Sequence, residues 1–151
     1  MTAGELCTRM VATIDPGESV LTAAKRMRDE HVGDLVVVET IEGGVRPIGI
    51  LTDRDLVVSV LAEEIAEPAR HEVGEVIHGD LVTATDDEDL GEVLRRMRAF
   101  AVRRVPVLDG AGCLFGILAL DDVLAWIRED LAEATSISRR QLQEEAHRHH
   151  H

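Results

Sequence analysis

A chain of 151 residues, 45% of them hydrophobic, is long enough to bury a core, and no stretch approaches the ~20 consecutive apolar residues of a membrane span. The formal net charge of −13 repels nucleic-acid phosphates and anionic lipid surfaces, so neither nucleic acid nor membrane is an expected partner. Two cysteines without CxxC spacing, Cys7 and Cys113, and only three aromatics, Phe100, Phe115 and Trp126, exclude a disulfide framework, a cysteine-based zinc site and an aromatic stacking platform.

Taken in chain order, the expected elements come twice. The segment "GELCTRMVATIDPGESVLTAAKRMRDEHV" from Gly4 lies without a gap over "GEVIHGDLVTATDDEDLGEVLRRMRAFAV" from Gly74 at a shift of 70 residues. In each, a short strand near Thr13 or Thr83 precedes a helix. Val20, Ala23, Ala24 and Met27 follow i, i+3, i+4, i+7, and Leu90, Val93, Leu94 and Met97 repeat that buried face. An apolar strand follows, "LVVV" or "VPVL", then a glycine-bearing turn and a second strand, "PIGIL" or "LFGIL". Beyond that turn the shift falls to 67, which predicts three extra residues in a surface loop of the first copy. A closing helix starts near Asp53 and again near Asp121, with apolar stripes Leu56, Val57, Val60 and Val123, Leu124, Ile127.

The fold class is therefore α/β (α+β), as two pseudo-symmetric β-α-β-β-α units. A unit of about 60 residues is marginal alone, so the two are expected to bury a shared face as one module. The first repeat is assigned to residues 1–68, the second to 69–135, and 136–151 to a frayed helix and tail. The tail's closing "HRHHH" resembles a purification tag interrupted by an arginine. The N-terminus lacks the basic and apolar regions of a secretion signal, and a cytoplasmic location is expected.

The stretches "VVVETIEGGVRPIGILTDRDLV" and "RRVPVLDGAGCLFGILALDDVL", with the helix before each, resemble tandem cystathionine-beta-synthase (CBS) domains, whose pairs are called Bateman modules. The resemblance covers roughly residues 3 to 134. It implies binding of adenosyl compounds such as AMP, ADP, ATP or S-adenosylmethionine in clefts between the repeats. It also implies a homodimer formed through the helices near 53–63 and 121–134, including Trp126. The family motif is Gly, apolar, any, Thr or Ser, two of any kind, Asp. Gly49, Ile50, Thr52 and Asp55 satisfy it fully; the second repeat keeps Gly116 and Asp122 but has Ala119 in place of the hydroxyl.

The motif has a chemical logic. Asp55 would accept hydrogen bonds from both ribose hydroxyls, and Asp122 would do so in the second half-site. Thr52 supplies a hydroxyl, Gly49 allows close backbone approach, and the amino end of the next helix favours phosphate. By resemblance, Arg103 and Arg104 reach a phosphate across the cleft, with Arg54 a weaker cation, and Thr13 and Thr83 face the adenine edge. Ile50, with Ile14 and Val37, would flank the base, although residues of this kind are expected in any core. The competing explanations are equally physical. Thr-x-x-Asp before an apolar helix is also a capping box, and surface arginines commonly pair with acidic neighbours.

No catalytic constellation can be assembled. Asp53 and Asp55 in a first helical turn are explained by the helix dipole, and His31, His71 and His78 share no metal-ligand spacing. Nucleophile elbow, Walker loop and Rossmann glycines are all missing, so no enzyme, no metal and no required cofactor is expected. The reading is a regulatory adenosyl-sensing module that relays occupancy to a protein partner. Two alternatives stand beside it: a scaffold whose cleft has lost ligand binding, signalled by Ala119, and a binder of a cyclic dinucleotide or dinucleotide across both half-sites.

Overall fold

A computed structural model describes residues 1–149, so the last two histidines of the closing "HRHHH" lie outside the described residues. The first half contains α1 (Ala3–Leu6), β1 (Thr13–Ile14), α2 (Val20–Glu30), β2 (Asp34–Ile41), β3 (Gly44–Thr52) and α3 (Asp53–Leu56), which continues as a π-helical turn over Val57–Leu61. Two short 3-10 turns, Pro68–Arg70 and Val73–Glu75, lead to β4 (Ala84–Thr85), α4 (Leu90–Phe100), β5 (Arg104–Leu108), β6 (Leu114–Ala119) and α5 (Leu120–His149). Each half builds a three-stranded sheet in sequence order, the first strand parallel to the second and the third antiparallel to it. The two β-α-β-β-α units expected from the repeat are thus present.

The paired helices show why the repeat survives. Ser19 accepts a hydrogen bond from the Thr22 amide at the start of α2, and Asp89 accepts one from the Gly91 amide at the start of α4. Val20, Ala23 and Met27 are buried on one, Leu90, Val93 and Met97 on the other. Each such side chain contributes about 1.5–3 kcal/mol when it is large and fully buried. Both helices end in a left-handed residue, His31 at φ 55° and Ala101 at φ 53°. The next amides, Val32 and Val102, close back on the carbonyls of Met27 and Met97 at 3.1 and 3.0 Å. Each turn delivers the chain directly into the next strand, so Asp34 and Arg104 open β2 and β5 at matching positions.

The three extra residues of the first repeat are not a loop. They lengthen the β2–β3 hairpin, in which Val38 pairs with Pro47, Thr40 with Val45 and Ile41 with Gly44 around a two-residue turn containing Gly43 at φ 87°. The second hairpin is shorter and closes through Asp109, whose Oδ1 accepts from the amides of Ala111 and Cys113 at 2.9 Å each. The added pairs let Val36 and Val38 pack against Ile117 of β6, with Val11, Val45 and Leu114 around them, in a core between the two sheets.

The leading segment of each repeat packs on the other repeat. Ala3 is fully buried among Leu90, Val93 and Leu118, while Val73 and Val76 are buried among Ile14, Val20 and Leu35. The backbone follows the same exchange: the Ala3 amide donates to the Glu88 carbonyl and the Val73 amide to that of Glu18, each at 2.9 Å. Residues 136–149, expected as a frayed helix and tail, continue α5 without a break. The exposed polar residues of 136–148 are compatible with a helix, since apolar patterning marks only helices that face a core. Among the described residues no helix is long and apolar enough to cross a membrane.

Candidate ligand cleft between the repeats

β2 and β3 of the first repeat and β5 and β6 of the second end at one seam, where a cavity of about 470 Å³ opens. Its walls come in matched pairs from the repeats: Gly33 and Arg103, Asp34 and Arg104, Thr52 and Ala119, Asp53 and Leu120. Ile50 and Val102 add apolar surface. A smaller cavity of about 150 Å³ adjoins it, bounded by Met10, Val11 and Ala12 on one side and by Ile117, Ala119 and Asp122 on the other. Asp34 and Arg104 border both cavities.

Of the residues singled out in the sequence, Ile50, Thr52, Arg103 and Arg104 line the larger cavity, and Asp122 lines the smaller one beside Arg104. Thr13, Gly49, Arg54, Asp55 and Thr83 line neither. The Thr13 carbonyl accepts a hydrogen bond from Arg26 Nη1 at 2.8 Å, and the Thr83 carbonyl accepts one from Arg96 Nη1 at the same distance. Each of those arginines is held in turn by a glutamate of its own repeat, Glu18 or Glu88. The Arg26 guanidinium holds the Glu18 carboxyl below its ordinary value. Space above Gly49 is taken by Ile77, whose Cδ1 lies 3.0 Å from where a Cβ would stand. Arg54 is exposed, and its amide donates to Asp53 Oδ1 at 2.8 Å.

Thr52 and Asp55 form the capping box. Thr52 Oγ1 accepts from the Asp55 amide at 3.1 Å, and Asp55 Oδ2 accepts from the Thr52 amide at 2.8 Å. One carboxylate oxygen is committed to the helix end. The side chain is half-buried, and its Oδ1 takes part in no hydrogen bond among the described residues. In the second repeat no such box forms, and α5 starts with Asp121 and Asp122 in its first turn.

The guanidinium groups at the seam are not free. Arg104 Nε lies 2.6 Å from Asp34 Oδ2, and Arg103 Nη2 lies 3.3 Å from Asp121 Oδ1. Asp34 is the more enclosed partner, its side chain 17% exposed against 46% for Arg104. Burial pushes the Asp34 carboxyl up, the Arg104 guanidinium pulls it down and the nearby Asp53 charge pushes it up again; the net direction is upward. The burial cost thus outweighs the attraction of a single partner at a half-exposed position.

The sequence singles out Arg104 but does not show that it meets Asp34, the residue at the equivalent position of the first repeat. The usable signal was the repeat itself, because residues equivalent under a pseudo-twofold axis approach one another wherever they lie on that axis. Met10, Val11 and Ala12 were also missed, as they belong to the crossing segment ahead of β1. The resulting site has apolar surface from Ile50 and Val102 and paired charges from Asp34, Arg104, Arg103 and Asp121. Among the described residues no group of three or more His, Cys, Asp or Glu side chains is placed to hold a metal. Such an arrangement can bind a small molecule with an apolar and a polar end.

Two β-α-β-β-α units that exchange their leading segments around a shared cleft define a Bateman-type pair. The CBS domain family model matches residues 3–62 and 73–129, and the chain belongs to the CBS domain family. It is 33% identical over 116 residues to the CBS domain-containing protein YhcV of Bacillus subtilis, covering 77% of this chain and 78% of that one. It is 31% identical over 124 residues to the Methanopyrus kandleri protein MK0525, where the match covers 82% of this chain but only 61% of the relative. Among solved structures, the cytosolic domain of the Mg2+ channel MgtE in complex with ATP superposes with a TM-score of 0.67 at 31% identity, covering 82% of this chain and 48% of that domain.

Proposed function

We propose that this CBS pair is a regulatory module that binds an adenosyl compound between its repeats and relays occupancy to a protein partner. The observation that carries the reading is the 470 Å³ cavity, which takes Thr52 from one repeat and Arg104 from the other. Its size falls in the range of about 300–1,000 Å³ usual for small-molecule sites. A ligand lying there touches both repeats, so its binding energy depends on their relative placement, and this is the condition for shifting an equilibrium between arrangements. The ATP complex of the MgtE cytosolic domain, a fold relative at 31% identity, supports an adenosyl ligand. In this reading the exposed apolar residues Val57, Val58, Leu61, Leu124 and Leu131 on the closing helices join two copies in a homodimer.

Thermal unfolding in the presence of AMP, ADP, ATP, S-adenosylmethionine and adenosine tests the reading. A bound compound at 100 times its dissociation constant stabilises the fold by about 2.7 kcal/mol. No shift with any of them would overturn the proposal in favour of the scaffold reading, which draws on the engagement of Asp55 Oδ2 by its own helix and on Ala119 in the second motif. A shift only with two-base compounds would instead favour a dinucleotide spanning both cavities.

A further inference from the structure

The charges around the larger cavity are unusual for a site meant for phosphate. Three carboxylates, Asp34, Asp53 and Asp121, face it together with two guanidinium groups, Arg103 and Arg104. Both arginines already have a carboxylate partner among the lining residues, at 2.6 Å for Arg104, across the seam, and at 3.3 Å for Arg103. Among the described residues Asp53 has no arginine or lysine partner, and its Oδ1 accepts from the Arg54 amide. The lining as a whole thus carries one more negative than positive charge.

We infer, on the basis of the adenosyl reading above, that Asp34 is a specificity-determining residue and selects adenosyl compounds whose group on the ribose 5′ carbon is uncharged or cationic over those that carry phosphate there. A phosphate entering the seam has to take Arg104 from Asp34. It then leaves the Asp34 carboxylate, 17% exposed, without its counter-ion and beside a new anion. Asp53 repels from the same wall. Each further phosphate adds to this repulsion, because like charges held together in a partly desolvated cleft are screened less than on an open surface. An uncharged substituent leaves the Asp34–Arg104 pair intact, and a cationic one gains a carboxylate neighbour. The repeat makes the asymmetry explicit: where the second repeat presents Arg103 and Arg104, the first presents Gly33 and Asp34. The cleft therefore holds one basic wall and one acidic wall, and the acidic wall cancels the phosphate attraction of the basic one.

Isothermal titration of the full chain with adenosine, AMP, ADP, ATP and S-adenosylmethionine tests this, with circular dichroism confirming that each variant is folded. In the wild type, affinity is expected to fall from adenosine to AMP to ATP, with S-adenosylmethionine binding at least as tightly as adenosine. Asp34→Asn frees Arg104, and the ratio of ATP to adenosine affinity should rise at least tenfold. Asp53→Asn leaves the Asp34–Arg104 pair in place and should raise the same ratio by a smaller factor, so the inference stays testable if one variant fails to fold. Tightest binding of ATP by the wild type would overturn the inference, as would an unchanged ratio in the folded variants, while leaving the adenosyl reading standing. Binding of none of the five compounds to wild type or variant would remove the adenosyl reading itself, and the inference with it.

Discussion

Ile77 stands over Gly49: its Cδ1 lies 3.0 Å from the place a Cβ on that glycine would occupy. At the equivalent place in the second repeat, Cys7 Sγ lies 2.6 Å and the Thr8 carbonyl oxygen 2.7 Å from a Cβ on Gly116. Each motif glycine is therefore fixed by the segment that crosses from the other repeat. Thr8 and Ile117 exchange both backbone hydrogen bonds at 2.9 Å, so the Thr8 carbonyl cannot move aside without breaking that bridge.

Gly116→Ala is expected to destabilise the fold by about 1–3 kcal/mol, the usual cost of overpacking. Gly49→Ala should cost less, because its obstacle is the tip of a flexible side chain rather than backbone. Urea midpoints of the two variants, measured side by side, check the ranking. Equal losses would show that the crossing segments do not decide these positions.

Much of this architecture was readable beforehand, and what was missed has a common cause. The 70-residue repeat, the order of elements and most of each helix face, Val20, Ala23, Met27 and Leu90, Val93, Met97, follow from apolar spacing, which is local, whereas Ala24, expected on the same buried face, is exposed and Leu94 is only partly buried. The crossing of Ala3 into the second core and of Val73 into the first is not local, because a short helical turn carries no mark of which neighbour it meets. The longer β2–β3 hairpin is not legible because a fall in the repeat offset beside the glycine-bearing turn at 42–44 points to a surface loop; its strands extend because Val38 and Val45 have Ile117 to pack against. At the site, Thr52 and Arg104 were found as single residues. The ion pair between Asp34 and Arg104 joins positions 70 apart and becomes visible only when the two sheets meet.

Asp55 separates two roles that share one side chain. Asp55→Ala removes the carboxylate half of the capping box and should lower the stability of the free protein by about 1 kcal/mol. If its other oxygen also holds a ribose, the variant loses in addition the whole ligand increment, about 2.7 kcal/mol at 100 times the dissociation constant. Differential scanning fluorimetry with and without the tightest adenosyl compound separates the losses. A ligand increment that survives in the variant would confine Asp55 to capping.

The Glu18–Arg26 pair predicts a pH dependence of stability. Arg26 hydrogen bonds hold the Glu18 carboxyl below its ordinary value of 4.5 in the folded state, so the unfolded chain takes up this proton first as pH falls. The stabilisation is present above about pH 4.5 and is lost as pH falls through the lower folded value. Glu18→Gln should therefore be less stable than wild type at pH 7, by about 0.2–1 kcal/mol for a pair as exposed as this one. The gap should narrow once pH falls below 4.5 and close when it has fallen below the lower folded value as well. A gap that is unchanged by this fall in pH would assign the effect of the substitution to packing rather than to charge.

The exposed apolar residues of the closing helices provide the test of assembly. Val57 is 54% exposed, Leu61 73%, Leu124 48% and Leu131 63%, and α3 with its π-helical turn also borders an apolar groove formed with Leu21, Ala24 and Pro68. The π-helical closure from the Ala62 amide to the Val57 carbonyl, 2.8 Å, widens the helix at this point, and Val57, Val58 and Leu61 all remain exposed beside it. Apolar side chains clustered in this way are costly in water and match what a two-fold interface buries on both sides. Light scattering should give twice the 16.6 kDa chain mass for the wild type and the chain mass itself for Leu61→Glu, because a buried carboxylate at an apolar interface is left without a partner. A wild type that is monomeric at micromolar concentration, or a Leu61→Glu variant that keeps the doubled mass, would rule out this face as the contact.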